Sequence, residues 1–304
     1  MKASLETPVL FLIFNRPDTT EKVFKEIKKA KPKQLFVAAD APREGVEGEK
    51  EKCKKTKEVV AEIDWDCEVK RLYRDKNLGC KKAVNGAIDW FFENVEQGII
   101  LEDDCLPNQS FFIFCQQMLG RYKDDKRIMQ VTGTNLSSEY NRDPDYSYYF
   151  SQYGSIWGWA TWKRAWKLQD LEMQKFKEIY DKNYFEDIFR TDLEKKNRIE
   201  NYKKCYNNGM NAWDYQWSFA KVINNGLIIV PKKNLIKNIG FGEEATHTKK
   251  ISNKHIKENE EIKFPLDHPD FLFVDRKQDL YQVEKFFSSN KFKTLLKKII
   301  DYFK

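Results

Sequence analysis

Three consecutive carboxylates, Glu102-Asp103-Asp104, directly follow the apolar run Ile99-Ile100-Leu101. The apolar run predicts a short buried strand. Neighbouring like charges raise one another's pKa unless a cation or hydrogen-bond donors lie close by. Ligands of open α/β sheets bind beyond the carboxyl ends of the strands, and Mg²⁺ and Mn²⁺ prefer hard oxygen ligands. The stretch therefore predicts a divalent-metal site, with a solvated acidic turn as the alternative.

A second carboxylate in an unusual setting is Asp214, which lies between Trp213 and Tyr215 at the predicted start of a helix. Burial against rings raises the pKa of a carboxyl group and suits it to act as a general base. The alternative is an acid in the first turn that the helix dipole stabilises.

Four tryptophans fall within ten positions of one stretch, and they are Trp157, Trp159, Trp162 and Trp166. Their rings predict either core packing or a wall on which an acceptor could lie.

Further on, residues 238–248 contain two glycines and few apolar side chains. That composition predicts a mobile loop, and such loops often close over a substrate.

Strands and helices must alternate to position these residues. Strands are predicted at 9–14, 35–39, 68–73, 99–101, 128–131 and 227–231. Helices are predicted at 17–31, 48–63, 80–94 and 109–122. Repeated β-α units imply an α/β fold with a mostly parallel central sheet and helices on both faces. Polar residues end three of the strands, at Asn15-Arg16, Asp40 and the acidic run, which predicts a site at the carboxyl edge of the sheet.

Composition excludes several classes of protein. Among 304 residues the net charge is +7, and the two signs are interspersed, as in 47–52, a stretch typical of a solvated helix face. This pattern disfavours nucleic-acid binding. A classical dinucleotide fold and a phosphate-cradling NTPase are disfavoured because neither G-x-G-x-x-G after the first strand nor a P-loop occurs. The six cysteines lack metal-site spacing, which predicts reduced thiols in a cytoplasmic protein.

The start and the end of the sequence carry further expectations. The first residues lack a signal-peptide pattern, and the longest apolar run is far short of the ~18 residues of a spanning helix. At the other end, residues 285–304 predict a basic amphipathic helix. Its apolar positions are Phe292, Leu295, Leu296, Ile299 and Phe303. It is expected either to lie on an anionic membrane surface, as a peripheral contact, or to dock on the parent domain.

Taken in order, the motifs resemble those of a known family. They are Asn15-Arg16-Pro17, Asp40, Asn77-Leu78-Gly79-Cys80, Glu102-Asp103-Asp104, Trp157-Gly158-Trp159, Trp213-Asp214 and Gly240-Phe241-Gly242 with Thr246-His247. The set resembles the inverting GT-A glycosyltransferases that are similar to N-acetylglucosaminyltransferase I and its bacterial relatives. The resemblance covers about 8–250. It implies a Rossmann-like GT-A domain at 1–250, with a nucleotide-binding half at 1–130 and an acceptor-side half at 131–250, followed by a C-terminal extension at 251–304.

The resemblance also implies a role for each matched residue. Asp104 matches the ligand of Mn²⁺ or Mg²⁺, and Asp214 matches the catalytic base. Contacts to the nucleotide-sugar donor are implied for Asn15, Arg16, Asp40, Lys81, Glu102, Asp103, Thr246 and His247. The acceptor side is implied for Trp157, Trp159 and Trp213. Asp40 is suited to accept from a uracil N–H, which favours a uridine diphosphate sugar, while guanosine and deoxythymidine diphosphates stay open.

The sequence departs from the animal enzyme at two positions. Lys81 stands where that enzyme has a histidine, and Tyr215 stands where it has a second acid. The donor and acceptor of the animal enzyme are therefore not carried over.

The resulting hypothesis is a metal-dependent, inverting glycosyltransferase that moves a sugar to an acceptor hydroxyl in surface glycan or glycolipid assembly. One alternative is a sugar nucleotidyltransferase, although such enzymes normally have a Gly-rich basic loop after the first strand. The other alternative is a non-catalytic relative that binds the nucleotide sugar.

Overall fold

The computed structural model describes residues 4–140, 143–189, 191–240 and 257–287. The strands are β1 Val9–Ile13, β2 Gln34–Ala39, β3 Glu68–Tyr73, β4 Gln97–Glu102, β5 Cys105–Pro107, β6 Ile128–Thr132, β7 Tyr148–Ser151, β8 Trp159–Trp162, β9 Leu227–Pro231 and β10 Ile236–Asn238. The six strands predicted from apolar runs are confirmed as β1, β2, β3, β4, β6 and β9.

The helices fill most of the connections between the strands. They are α1 Pro17–Ala30, α2 Glu49–Val59, α3 Gly79–Asn94, α4 Gln109–Arg121, α5 Lys163–Trp166, α6 Phe176–Asp181, α7 Phe185–Ile188, α8 Asp192–Tyr206, α9 Asp214–Ile223 and α10 Arg276–Phe287. The first four confirm the predicted helices. Pro17 is the first residue of α1, where its missing N–H costs nothing.

Eight strands form one sheet in the order β3-β2-β1-β4-β8-β6-β9-β7. Six of them run in one direction, and only β8 and β7 are antiparallel to their neighbours. This confirms the α/β class and the mostly parallel sheet. The short strands β7 and β8 were not predicted, and neither was the antiparallel pair of β5 and β10.

Helices cover both faces of the sheet, as predicted. On one face, side chains of α1 and α4 pack against Val9, Phe11 and Ile13 of β1. On the other face, side chains of α3 and α9 pack against Leu10 and Leu12. The chain changes faces between β3 and β4, and β4 then pairs with the far side of β1. The carboxyl ends of β1 and β4 therefore lie side by side at a topological switch point, where open sheets bind their ligands.

The segment 257–287 packs back on the domain. Ile262 and Leu266 enter the core beside α4, and Asp279 of α10 accepts a hydrogen bond from Ser151 Oγ at 2.5 Å. The predicted boundary near 250 and the apolar stripe of the predicted C-terminal helix lie outside the described residues.

The cysteines and the lengths of the helices can also be compared with the sequence predictions. All six cysteines are free thiols, as predicted. Within the described ranges, none of the helices is long and apolar enough to cross a bilayer.

Candidate functional site

The acidic run lies at the switch point and meets the residues that follow β1. Asp103 Oδ2 accepts a hydrogen bond from the Phe14 N–H at 3.1 Å. The Arg16 guanidinium lies 2.7 Å from Asp104 Oδ2 and 3.7 Å from Asp103 Oδ1. The structure thus brings together Arg16 and the strand-end acids, which are about ninety residues apart in the sequence.

One arginine does not neutralise three carboxylates. Burial, with the charges of Asp104, Asp103 and Asp214, raises the pKa of Glu102 well above its usual range, and Arg16 only partly opposes this. Burial and the charge of Asp104 raise the pKa of Asp103 to about 7. Glu102 Oε1 is buried and has no hydrogen-bond partner among the described residues. Full ionisation of the three carboxylates would therefore place more negative charge here than the surrounding side chains compensate.

Asp214 is the first residue of α9, and it lies close enough to this site for its charge to act on Glu102. Ile100 packs on the face of the sheet that α3 and α9 cover, and Glu102, two residues later on the strand, faces the same side. Burial raises the pKa of the Cys80 thiol to about 12, and the charges of Glu102, Asp214 and Asp40 add to this effect. Three carboxylates that the sequence analysis singled out thus converge around the start of α3.

The donor set fits a divalent cation that retains water and substrate oxygens in its shell. No group of three or more His, Cys, Asp or Glu side chains forms a metal cage within the described ranges. Mg²⁺ and similar ions, however, are commonly held by one or two carboxylates together with substrate phosphates. Asp104, with Asp103 beside it, supplies such carboxylates, and the uncompensated charge would be relieved by a cation.

Gly240 lies directly against Asp104. The Ile239 N–H donates to the Asp104 carbonyl at 2.8 Å, and a Cβ on Gly240 would lie 2.1 Å from Asp104 Oδ2. Only glycine fits this close approach without moving the carboxylate. The predicted donor contacts Thr246 and His247 lie outside the described residues.

Asp40 binds the turn that begins α3. Its carboxylate accepts from the N–H groups of Ala41, Leu78 and Gly79, at 3.0 to 3.1 Å. Asn77 Nδ2 ties the same turn to the Ala41 carbonyl at 2.6 Å. Asp40 thus positions the Asn77-Leu78-Gly79 turn, and its predicted contact with a nucleotide base stays a prediction.

Lys81 points toward residues of 131–250, the half of the chain that was predicted to face the acceptor. Its Nζ donates to Asn208 Oδ1 at 3.1 Å and lies 3.7 Å from Glu172 Oε1, while its backbone N–H donates to Asn211 Oδ1. Glu172 lies between α5 and α6, and Asn208 and Asn211 lie between α8 and α9. The predicted contact of Lys81 with the donor is not tested by this geometry.

Two of the three rings predicted on the acceptor side are buried. Trp159 is 0% exposed and Trp213 is 2% exposed, and the two rings stack with centroids 5.7 Å apart. The prediction that they contact an acceptor is wrong, because neither ring has a face open to a ligand. Gly158 has φ +62°, which breaks the strand alternation, so that half-buried Trp157 packs on the opposite face of the sheet from Trp159. Trp157 is the only one of the three rings still available to an acceptor.

Sequence reasoning missed Arg43 and Glu49. Glu49 belongs to the stretch interpreted as a solvated helix face, yet it is 2% exposed. Its carboxylate accepts hydrogen bonds from the Arg43 side chain and backbone and from Asn15 Nδ2, and the hydrogen bond from the Arg43 side chain contributes most to holding its pKa below the usual value. The available signal was the position of Arg43, three residues after Asp40 in a loop at the carboxyl edge of the sheet. Asn15, a predicted donor contact, is thereby fixed beside this pair.

Comparisons with known proteins add little to this geometry. No family model and no curated protein matches the chain. The crystal structure of HddC from Yersinia pseudotuberculosis is similar over 52% of this chain and 77% of that chain, at 8% identity and a TM-score of 0.31. So low a TM-score carries no argument about function, which therefore rests on the site itself.

Proposed function

We propose that the protein is a metal-dependent glycosyltransferase that transfers a sugar from a nucleoside diphosphate to an acceptor hydroxyl, with inversion at the anomeric carbon. The observation that carries the proposal is the position of the acidic run at the switch point, with Asp214 close enough for its charge to raise the pKa of Glu102. A donor held at the strand ends would then lie between the acids that follow β4 and the base at the start of α9. The GT-A assignment is part of the same proposal, and the sheet order and direction are consistent with it.

The reaction requires two groups on opposite sides of the sugar. The bond between the anomeric carbon and the diphosphate oxygen breaks, a bond to the acceptor oxygen forms, and the transition state resembles an oxocarbenium ion. Asp214 accepts the proton that the acceptor hydroxyl loses. Arg16, which pairs with both Asp103 and Asp104, holds these acids at the strand end where the diphosphate would lie.

Asp104, supported by Asp103, would hold Mn²⁺ or Mg²⁺. A bound divalent ion stabilises the negative charge that develops on the leaving diphosphate. Glycine at position 240 keeps a side chain away from Asp104, because a Cβ there would lie 2.1 Å from Asp104 Oδ2.

The substrate class follows the sequence predictions. We propose a uridine diphosphate sugar as donor and a glycan or lipid-linked hydroxyl as acceptor, with action in surface glycan assembly at the cytoplasmic side of a membrane. Trp157 is the aromatic side chain proposed to contact the acceptor.

The test is a screen of nucleotide sugars for release of nucleoside diphosphate, with Mn²⁺ and with a chelator. Slow, chelator-sensitive release from one donor supports the proposal and identifies the sugar. Release of pyrophosphate from a nucleoside triphosphate and a sugar phosphate would instead support a nucleotidyltransferase. A protein that binds nucleotides with Mn²⁺ yet turns over neither substrate set, with or without candidate acceptors, would be a non-catalytic relative.

A further inference from the structure

Arg43 is held rigidly at the carboxyl edge of the sheet by a buried carboxylate. Arg43 Nη2 lies 2.5 Å from Glu49 Oε1, and Arg43 Nε lies 3.1 Å from both Glu49 oxygens. The Arg43 backbone N–H donates to Glu49 Oε2 at 2.7 Å, and Asn15 Nδ2 donates to Glu49 Oε1 at 2.8 Å. Glu49 thus ties the loop after β1 and the loop after β2 to the start of α2.

The arrangement leaves Arg43 itself open to solvent. The Arg43 side chain is 48% exposed, whereas the Glu49 side chain is 2% exposed. A forked ion pair of this kind restricts a long side chain to one orientation. The protein therefore places an immobilised guanidinium on the edge where the donor is proposed to bind.

The pair with Glu49 uses one edge of the guanidinium and leaves its plane and its Nη1 outside that pair. The Nε and Nη2 edge is occupied by Glu49, and Arg43 Cζ lies 5.9 Å from the centroid of the Phe14 ring. Guanidinium planes stack on flat aromatic systems, which an ammonium group cannot do in the same way. The Phe14 N–H donates a hydrogen bond to Asp103, so the Phe14 ring and the Arg43 guanidinium over it lie next to the acidic site.

We propose that Arg43 is a binding residue for the nucleobase of the donor, which stacks on the guanidinium plane, and that Glu49 is its positioning residue. This inference rests on the proposed function, because it takes the donor to be a nucleotide. It adds Arg43 to the site, in the loop that also contains Asp40. It also adds a mode of recognition, in which a planar base stacks on the guanidinium.

The experiment is calorimetric titration of the full chain with Mn²⁺ present. The probes are uridine 5′-diphosphate, guanosine 5′-diphosphate and inorganic pyrophosphate, which lacks a base. The variants are Arg43→Lys, which keeps the charge and loses the plane, and Arg43→Met, which loses both. Stacking predicts that both variants weaken binding of the preferred nucleotide about tenfold and by similar factors. Binding of pyrophosphate should stay unchanged in both.

Arg127→Met is the matched control. Arg127 makes the same forked pair, with Asp125 at 2.9 and 2.7 Å, but directly precedes β6, at the opposite edge of the sheet. Its loss should leave all three affinities unchanged.

Each contrary outcome has a separate meaning. Full affinity in Arg43→Lys, or an equal loss for pyrophosphate, would show a phosphate contact and overturn the stacking. Unchanged nucleotide affinity in Arg43→Met would remove Arg43 from the site while leaving the proposed function intact. Failure of the wild-type protein to bind either nucleotide, or deoxythymidine 5′-diphosphate offered in the same way, would overturn both proposals at once, and the wild-type titration detects this before any variant is compared.

Discussion

Two groups of buried carboxylates lie at the same edge of the sheet and differ in the donors around them. Glu49 is bonded by an arginine, a backbone N–H and an asparagine amide, and these donors keep its pKa low. The acidic run has Arg16 and the Phe14 N–H, which do not prevent the pKa values of Glu102 and Asp103 from rising. Burial is the largest cause that raises the pKa of Glu102 and Asp103, whereas at Glu49 the hydrogen bond from the Arg43 side chain outweighs burial, so burial and the supply of donors together set the difference.

This contrast separates structural from reactive acids. A buried carboxylate whose oxygens are all bonded stabilises the fold and positions its neighbours. A cluster that is left under-compensated stores electrostatic energy, which a cation or a proton from a substrate can release. Substitutions of these acids and of a buried lysine test that distinction.

The largest effect is expected for Asp214→Asn. Loss of a general base lowers turnover by a factor of about 10²–10⁴, whereas nucleotide binding should be retained, because Asp214 is proposed to act on the acceptor. Initial rates and calorimetric titration measure the two quantities separately. Asp192→Asn is the control, since Asp192 is also the first residue of a helix and its side chain is 98% exposed. Near-normal turnover of Asp214→Asn would show that the base is another residue.

Asp104→Asn should abolish stabilisation of the protein by Mn²⁺. A ligand at a hundredfold excess over its dissociation constant adds about 2.7 kcal/mol to the free energy of unfolding. The variant loses this increment because the amide cannot supply the negative charge. Thermal unfolding with and without Mn²⁺ provides the measurement, and Glu49→Gln should keep the Mn²⁺ effect. An equal Mn²⁺ shift in both variants would place the metal elsewhere.

Lys221 extends the comparison to a buried cation. Its Nζ donates to Gln130 Oε1, a neutral acceptor, and burial and the charge of Arg198 lower its pKa to about 7, with Asp214 acting in the opposite sense. The folded state therefore binds fewer protons than the unfolded state between about pH 7 and the ordinary lysine pKa of about 10.4, so stability rises with pH across that window. Lys221→Met should remove this rise and stabilise the protein at pH 7 by about 1–3 kcal/mol.

Urea unfolding at pH 7, 8.5 and 9.5 tests the Lys221 prediction through the difference between wild type and variant. Lys54→Met is the control, because its side chain is 68% exposed and should show no such difference. If the difference in the free energy of unfolding stays the same at the three pH values, burial does not disfavour the charged form of Lys221.

Glu49→Gln should give the smallest effect. Loss of charge-assisted hydrogen bonds lowers the free energy of unfolding by about 1–2 kcal/mol at pH 7, less than for a fully buried pair because Arg43 is half exposed. The pKa of Glu49 is lowered in the folded state, so its contribution is complete above the unfolded value of about 4.3 and is lost as the pH falls below it. Urea unfolding at pH 7 and pH 4 should show a difference that shrinks at the lower pH. A difference that grows on acidification would contradict the assignment.

Local sequence patterns were enough to predict the α/β class, the six principal strands and the acidic edge of the sheet. Continuous apolar runs such as Val9–Ile13 predict doubly buried strands because neither face can tolerate water. Carboxylates that directly follow such a run must lie at its carboxyl end, which is a statement about chain connectivity alone. The local sequence pattern likewise predicted that Asp214 lies at the start of a helix, which is confirmed.

Tertiary structure alone decided which of these residues meet and which are buried. Glu49 belongs to a charged stretch that is typical of solvent, but the fold brings Asn15 and Arg43 to it from two other loops. Trp159 and Trp213 were predicted near the acceptor, yet they stack in the core because β8 joins the sheet beside β4 and α9 packs over it. Burial and electrostatic coupling depend on long-range packing, and the pattern of neighbouring residues in the sequence does not contain that information.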